Sequence, residues 1–170
     1  MKIKKYGLTS LAATAAALIA LTGCSAPAEE AAATNGEPLE FSESWAKATD
    51  TPMTGVFGDL KNVSDEAVTI VGGEADFADL IEVHETVEDG TGSTKMQEKE
   101  GGFTIEPGET LELRPGGDHI MFMKMNKELV PGEEVTYTIT FEEGEGQEFT
   151  SIIKEFAGAN EEYVGDHDDH

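Results

Sequence analysis

Val135-Thr136-Tyr137-Thr138-Ile139-Thr140-Phe141 alternates apolar or aromatic residues with threonines. Successive side chains of a strand point to opposite faces, so this run buries Val135, Tyr137, Ile139 and Phe141 together and turns the threonines outward. Leu111 and Leu113 alternate with Glu112 and Arg114 in the same way. Working outward, further strands are predicted over 41–46, 55–62, 67–72, 79–87, 94–99, 119–125 and 148–156. Turn residues separate them: Gly72-Gly73, Asp89-Gly90, Pro107-Gly108, Pro115-Gly116-Gly117, Pro131-Gly132 and Glu143-Gly144. Many short strands divided by Gly/Pro turns argue an all-β sandwich or barrel. No amphipathic helical stripe competes with this reading after residue 24.

The ends of the chain differ in kind. Lys2, Lys4 and Lys5 precede an apolar, alanine-rich run over 8–21, followed by Leu21-Thr22-Gly23-Cys24. A basic start, a short apolar run and small residues predict an export signal over 1–23. The run is shorter than the roughly 20 residues of a spanning helix. Leu-Thr-Gly-Cys resembles the bacterial lipobox, which implies that Cys24 is lipidated and becomes the first mature residue. The plainer alternative is a soluble secreted protein in which Cys24 is incidental. Cys24 is the only cysteine, so the folded domain has no disulfide and no thiolate ligand. Residues 24–38 (CSAPAEEAAATNGEP) read as the lipidated Cys and a flexible linker, 39–158 as one domain and 159–170 as an acidic disordered tail.

The full chain carries 35 acidic and 11 basic residues, a net charge of −24. Loss of the signal removes three lysines and no acid, leaving the mature chain more acidic still. Such a chain repels nucleic acid and anionic lipid surfaces. No nucleic-acid partner is expected, and the membrane is reached only through the lipid anchor.

Four residues stand out by type. His84 lies in Leu80-Ile81-Glu82-Val83-His84-Glu85-Thr86 and Met96 in Ser93-Thr94-Lys95-Met96. His119 and Met121 lie in Gly116-Gly117-Asp118-His119-Ile120-Met121-Phe122-Met123-Lys124-Met125. Strand parity projects His119 and Met121 together, with Met123 and Met125 further along that side and Ile120 and Phe122 opposite. The same parity puts Ile81 and Val83 on one face and His84 on the other. Thioether sulfur is soft and neutral and suits Cu(I) far better than Zn(II), Mg(II) or Ca(II), while neutral imidazole accepts copper well. Two His and two Met would hold Cu(I) at net +1 without a buried carboxylate. The same residues also fit plainer roles: methionine fills strand cores, and a histidine beside an apolar run often hydrogen-bonds at a boundary.

These stretches together resemble the PCuAC family of extracytoplasmic copper(I) chaperones. His84 and Met96 are twelve positions apart, and His119-x-Met121 begins twenty-three beyond Met96, one more than the family's usual spacing. Val83-His84-Glu85-Thr86 and Leu111-Glu112-Leu113-Arg114-Pro115-Gly116-Gly117-Asp118-His119-Ile120-Met121 are similar to the family's ligand segments. Trp45-Ala46 and Gly55-Val56-Phe57-Gly58-Asp59-Leu60-Lys61-Asn62 are similar to its first strands. The resemblance implies a cupredoxin-like Greek-key β-barrel, a single domain, with Cu(I) held by His84, Met96, His119 and Met121. Met96 enters chiefly through family spacing, and Met123 is its substitute or an accessory thioether. His167 and His170 in the tail would add a secondary Cu(II) site, against the alternative of a solvated end.

The resemblance further implies delivery of Cu(I) to the copper centre of cytochrome c oxidase subunit II, or exchange with a Sco-type partner. The protein would sit on the outer face of the cytoplasmic membrane, held by lipid. Copper buffering or resistance without a dedicated acceptor, and a surface β-domain without metal, are the alternatives. The chain has no Gly-x-Ser-x-Gly, paired thiol or His-Glu-x-x-His, so no enzyme activity is expected. A blue-copper electron carrier would need a cysteine within the fold.

Overall fold

The computed structural model describes residues 36–88, 90, 92–158 and the backbone of 162–163. The predicted export signal, Cys24, most of the linker, His167 and His170 lie outside the described residues. Among the described residues there is no helix. The strands are β1 Leu39–Lys47, β2 Thr54–Asn62, β3 Val68–Ala75, β4 Ala78–Glu88, β5 Thr94–Glu98 and β6 Phe103–Ile105. They continue with β7 Thr110–Leu113, β8 His119–Met125, β9 Glu134–Phe141, β10 Gly146–Lys154 and β11 Glu162–Tyr163.

Seven strands form a ring in the order β4-β8-β2-β1-β10-β9-β3, and β3 pairs back onto β4 to close it. Closure leaves the ring without an open edge. Hairpin neighbours alternate with pairings between distant strands, as in a Greek key: β8 lies between β4 and β2, and β1 joins β10 in parallel. Outside the ring, β5 pairs with β4, β6 with β3 and β7 with β2. The all-β barrel expected from the alternation is therefore present.

Two strands were not expected. Phe103–Ile105 is too short to show periodicity, yet Phe103 and Ile105 are buried. Glu162–Tyr163 lies in the segment read as a disordered tail, and it pairs in parallel with Lys95 and Met96 of β5.

The alternation of β9 does what its sequence predicts. Val135, Tyr137 and Ile139 are buried and Phe141 is half-buried. They join Ala46, Val56, Leu60, Ile70, Val83, Ile120, Phe122 and Ile153 in one large core. Phe122 is its hub, with Phe77 and Tyr137 each edge-on at 5.0 Å between ring centroids. A polar head within it, the Tyr137 hydroxyl, bonds Ser151 Oγ at 2.8 Å, and burial pushes its pKa up to about 12.

Parity fails at the end of β8. Met125, expected beside Met121 and Met123, packs against the large core instead. Lys124 takes φ 51°, a left-handed conformation that ends the regular alternation of the strand.

Candidate metal centre

The site lies on the face of β4 and β8 opposite the large core. His84 and His119 are paired directly across the β4–β8 ladder. Their rings are 5.5 Å apart at 70°. His84 is fully buried and His119 is 5% exposed. One step along, Glu82 faces Met121 in the same ladder. Met96 of β5 is paired with Thr86 of β4. It packs with Met121 and Met123 in a small cluster, separate from the large core, against which Met53 and Leu80 also pack. The structure thus brings together the four residues singled out by type, with Met123 beside them.

Local sequence explains how His119 is held. In Arg114-Pro115-Gly116-Gly117, proline sets φ at the second turn position and Gly116 supplies φ 79° at the third. The Gly117 amide donates to the Arg114 carbonyl at 3.0 Å, and the Arg114 amide donates to Asp118 O at 2.9 Å. Arg114 also anchors the turn to β2 through Gly58 O at 3.0 Å and an ion pair with Asp59.

The Gly117 carbonyl then fixes the histidine. His119 Nδ1 lies 2.9 Å from it, and because a carbonyl only accepts, the proton is on Nδ1. In the neutral ring the lone pair is therefore on Nε2. Thr86 Oγ1 donates to the same carbonyl at 3.0 Å, tying the turn to β4. On the other side of His119 stands Phe57, 6.0 Å between ring centroids, with Trp45 stacked beyond it at 4.8 Å.

His84 is fixed by a different partner. Its Nε2 lies 2.7 Å from Glu82 Oε2. With the carboxylate as acceptor, Nε2 carries the proton and the lone pair falls on Nδ1. Glu82 is itself buried, 7% exposed. Glu82 is not among the residues that softness and spacing single out, and a site of two His and two Met does not require a carboxylate. The signal was present, since Glu82 and His84 are two apart on one strand and must share a face. A buried glutamate is uncommon without a partner, and the partner is the histidine.

Further out, Glu85 and Lys99 pair at 2.6 Å between β4 and the end of β5. The Lys99 ammonium holds the Glu85 carboxyl below its usual range, while burial pushes the neighbouring Asp118 carboxyl up.

A cavity of about 250 Å3 opens beside the site, lined by Met53, Gly55, Phe57, Met96, His119 and Met121 among others. Gly55 faces Met121 across the β2–β8 ladder. A Cβ there would stand 2.6 Å from Phe57 Cζ, so glycine lets the Phe57 ring fold over this position. The lining offers thioether sulfur and an imidazole, in a cavity partly open to solvent.

Comparison with known proteins agrees with this architecture. A family model described as "Putative lipoprotein LpqE-like" matches residues 39–153. "Putative lipoprotein Lxx21020" of Leifsonia xyli subsp. xyli is 38% identical over 154 residues, spanning 89% of this chain and 92% of the relative. The chain belongs to the LpqE-like family.

Among solved structures, the copper-bound PCuAC domain from PmoF2 superposes on the LpqE-like chain with a TM-score of 0.56. It is 13% identical and covers 71% of this chain and 95% of that domain. The solution structure of CuI-DR1885 from Deinococcus radiodurans gives 0.53 at 24% identity, covering 75% and 87%. The PCuAC resemblance carried by the sequence around His84 and His119 thus holds at the level of the fold, a cupredoxin-like barrel.

Proposed function

We propose that this protein is a lipid-anchored copper(I) carrier outside the cytoplasmic membrane, binding one ion through His84, Met96, His119 and Met121. The observation that carries the reading is the convergence of two histidines, paired across one ladder, with a separate cluster of buried methionines. Core-filling methionines alone would not require it, because the large core is already closed on the opposite face of the same strands. The donor set is soft and neutral, which favours Cu(I) over divalent ions of hard preference. The Glu82 carboxylate adds one negative charge beside it, so a bound Cu(I) leaves the pocket neutral. Two proteins of this fold, the PmoF2 domain and DR1885, were solved with copper.

Lipidation at Cys24 would keep the domain at the outer face of the cytoplasmic membrane, in keeping with the lipoprotein description of its family. The tail histidines His167 and His170 would add a harder, secondary site suited to Cu(II). Delivery to the copper centre of cytochrome c oxidase subunit II, directly or with a Sco-type protein, is the acceptor that the family resemblance favours. A deletion strain separates this from simple buffering. Carriage predicts an oxidase defect rescued by added copper, and buffering predicts copper sensitivity.

The binding test is a Cu(I) competition titration against a chromogenic chelator, under anaerobic conditions. The purified protein is expected to bind one equivalent. Met96→Leu and His119→Ala are each expected to weaken binding by roughly tenfold or more, about 1.4 kcal/mol per decade. Unchanged affinity in both variants would remove the site assignment.

A further inference from the structure

We infer that Met53 is the entry and exit thioether of this site: it takes Cu(I) at the cavity mouth, passes it to the buried set and receives it again on release. The inference rests on the copper reading above. Met53 belongs to the loop between β1 and β2, far in sequence from the four ligands proposed. It nevertheless packs against the cluster formed by Met96, Met121 and Met123, and it lines the same cavity as His119.

Burial is graded across these sulfurs. Met96, Met121 and Met123 are buried, whereas Met53 is half-buried. Met53 is therefore the thioether in touch with both solvent and the inner donors. The backbone of its loop is anchored on both sides. Thr49 exchanges two hydrogen bonds with Leu129, at 3.1 and 3.0 Å, and Met125 N donates to Pro52 O at 2.9 Å. Thr51 Oγ1 donates to the carbonyl of Met53 itself at 3.1 Å. A fixed backbone carrying an unbranched side chain with three rotatable bonds gives a sulfur of defined origin and short, adjustable reach.

The chemistry balances without a co-reactant. Cu(I) stays Cu(I) throughout. A lone pair on Met53 sulfur forms a new Cu–S bond while a bond from the outgoing donor to copper breaks. Thioether sulfur carries no proton, so none moves. Met53, Met96 and Met121 all line the cavity, so a thioether stands at each stage and the ion can move from ligand to ligand.

The test compares Met53→Leu and Met53→Gln with the wild-type protein. Leucine keeps the apolar volume, glutamine keeps the length, and both lack the sulfur. Two quantities are measured anaerobically: Cu(I) affinity by competition, and the rate of Cu(I) transfer to excess bathocuproine by stopped flow. Both variants are expected to keep affinity within about threefold and to slow transfer by about fivefold or more. Wild-type transfer rates in either variant would overturn the inference, because packing or length would then account for Met53. Loss of affinity as large as in Met96→Leu would also overturn it, making Met53 a resident ligand. If the wild-type protein binds no Cu(I), the copper reading falls first, and this inference with it.

Discussion

Across β8, Ile120 and Phe122 enter the large core, while Met121 and Met123 join the methionine cluster and His119 lines the cavity beside it. The two sides share one backbone and differ in what fixes them. The large core is specified by shape: edge-on aromatic contacts at 5.0 Å and β-branched residues from seven strands fill it. The methionine side is small and made of adaptable side chains, with its precision supplied by hydrogen bonds to the two histidines. Stability is therefore expected to reside on one face of the sheet and ligand chemistry on the other.

The most direct way to break that division is a pair of variants on one strand. Phe122→Ala removes the hub of the core and is expected to cost about 3–5 kcal/mol in denaturant unfolding. The folded fraction should keep its Cu(I) affinity. Met121→Leu, one residue away, conserves volume and should cost less than about 1.5 kcal/mol, yet weaken Cu(I) by roughly tenfold or more. The reverse pattern in either variant would show that the faces are not independent.

A second prediction uses the polar head of the core. Burial raises Tyr137 from the ordinary phenol value to about 12. Above pH 10 the unfolded chain gives up this proton while the folded chain keeps it. Stability should then fall as pH rises from about 10 to 12, by on the order of 3 kcal/mol at most. Alkaline unfolding followed by circular dichroism should show this slope in the wild-type protein and lose it in Tyr137→Phe. Cu(I) affinity at pH 8 should be the same in both. An equal slope in the variant would assign the alkaline loss elsewhere.

The two faces were not equally legible in the sequence. The core announced itself through β9, because strict alternation over a whole strand has one structural meaning. The pairing of His119 with Met121, and the placing of His84 opposite Ile81 and Val83, also followed from parity. What parity could not supply was anything set by pairing between distant segments. The β4–β8 ladder that sets His84 against His119, the β2–β8 ladder and the parallel β1–β10 contact are tertiary events with no local signature. Met53 escaped for the same reason, since a loop methionine shows no period. Met125 was misplaced because a left-handed φ at lysine is not visible in the residue type. Glu82 was missed despite its parity, since glutamate is by default assigned to solvent and only the 2.7 Å contact with His84 reveals its role.

Glu82 also gives the finest test of the comparison, because its effects on stability and on binding are expected to separate. In the metal-free protein a buried carboxylate costs desolvation that its bond to His84 only partly offsets. Glu82→Gln keeps the shape and leaves an amide oxygen able to accept from His84 Nε2. Unfolding stability should therefore fall by no more than about 1 kcal/mol, and a rise is compatible with the desolvation argument. Cu(I) binding should weaken by up to about tenfold, since the pocket loses the charge that neutralises the ion and the firmest orientation of the His84 ring. A competition titration and a urea melt on the same preparation measure both. A variant with unchanged affinity and markedly lower stability would place Glu82 with the core, as a structural partner of His84. Weakened affinity with stability kept would place it with the site, and would show that the methionine face is tuned by a charge that its soft donors lack.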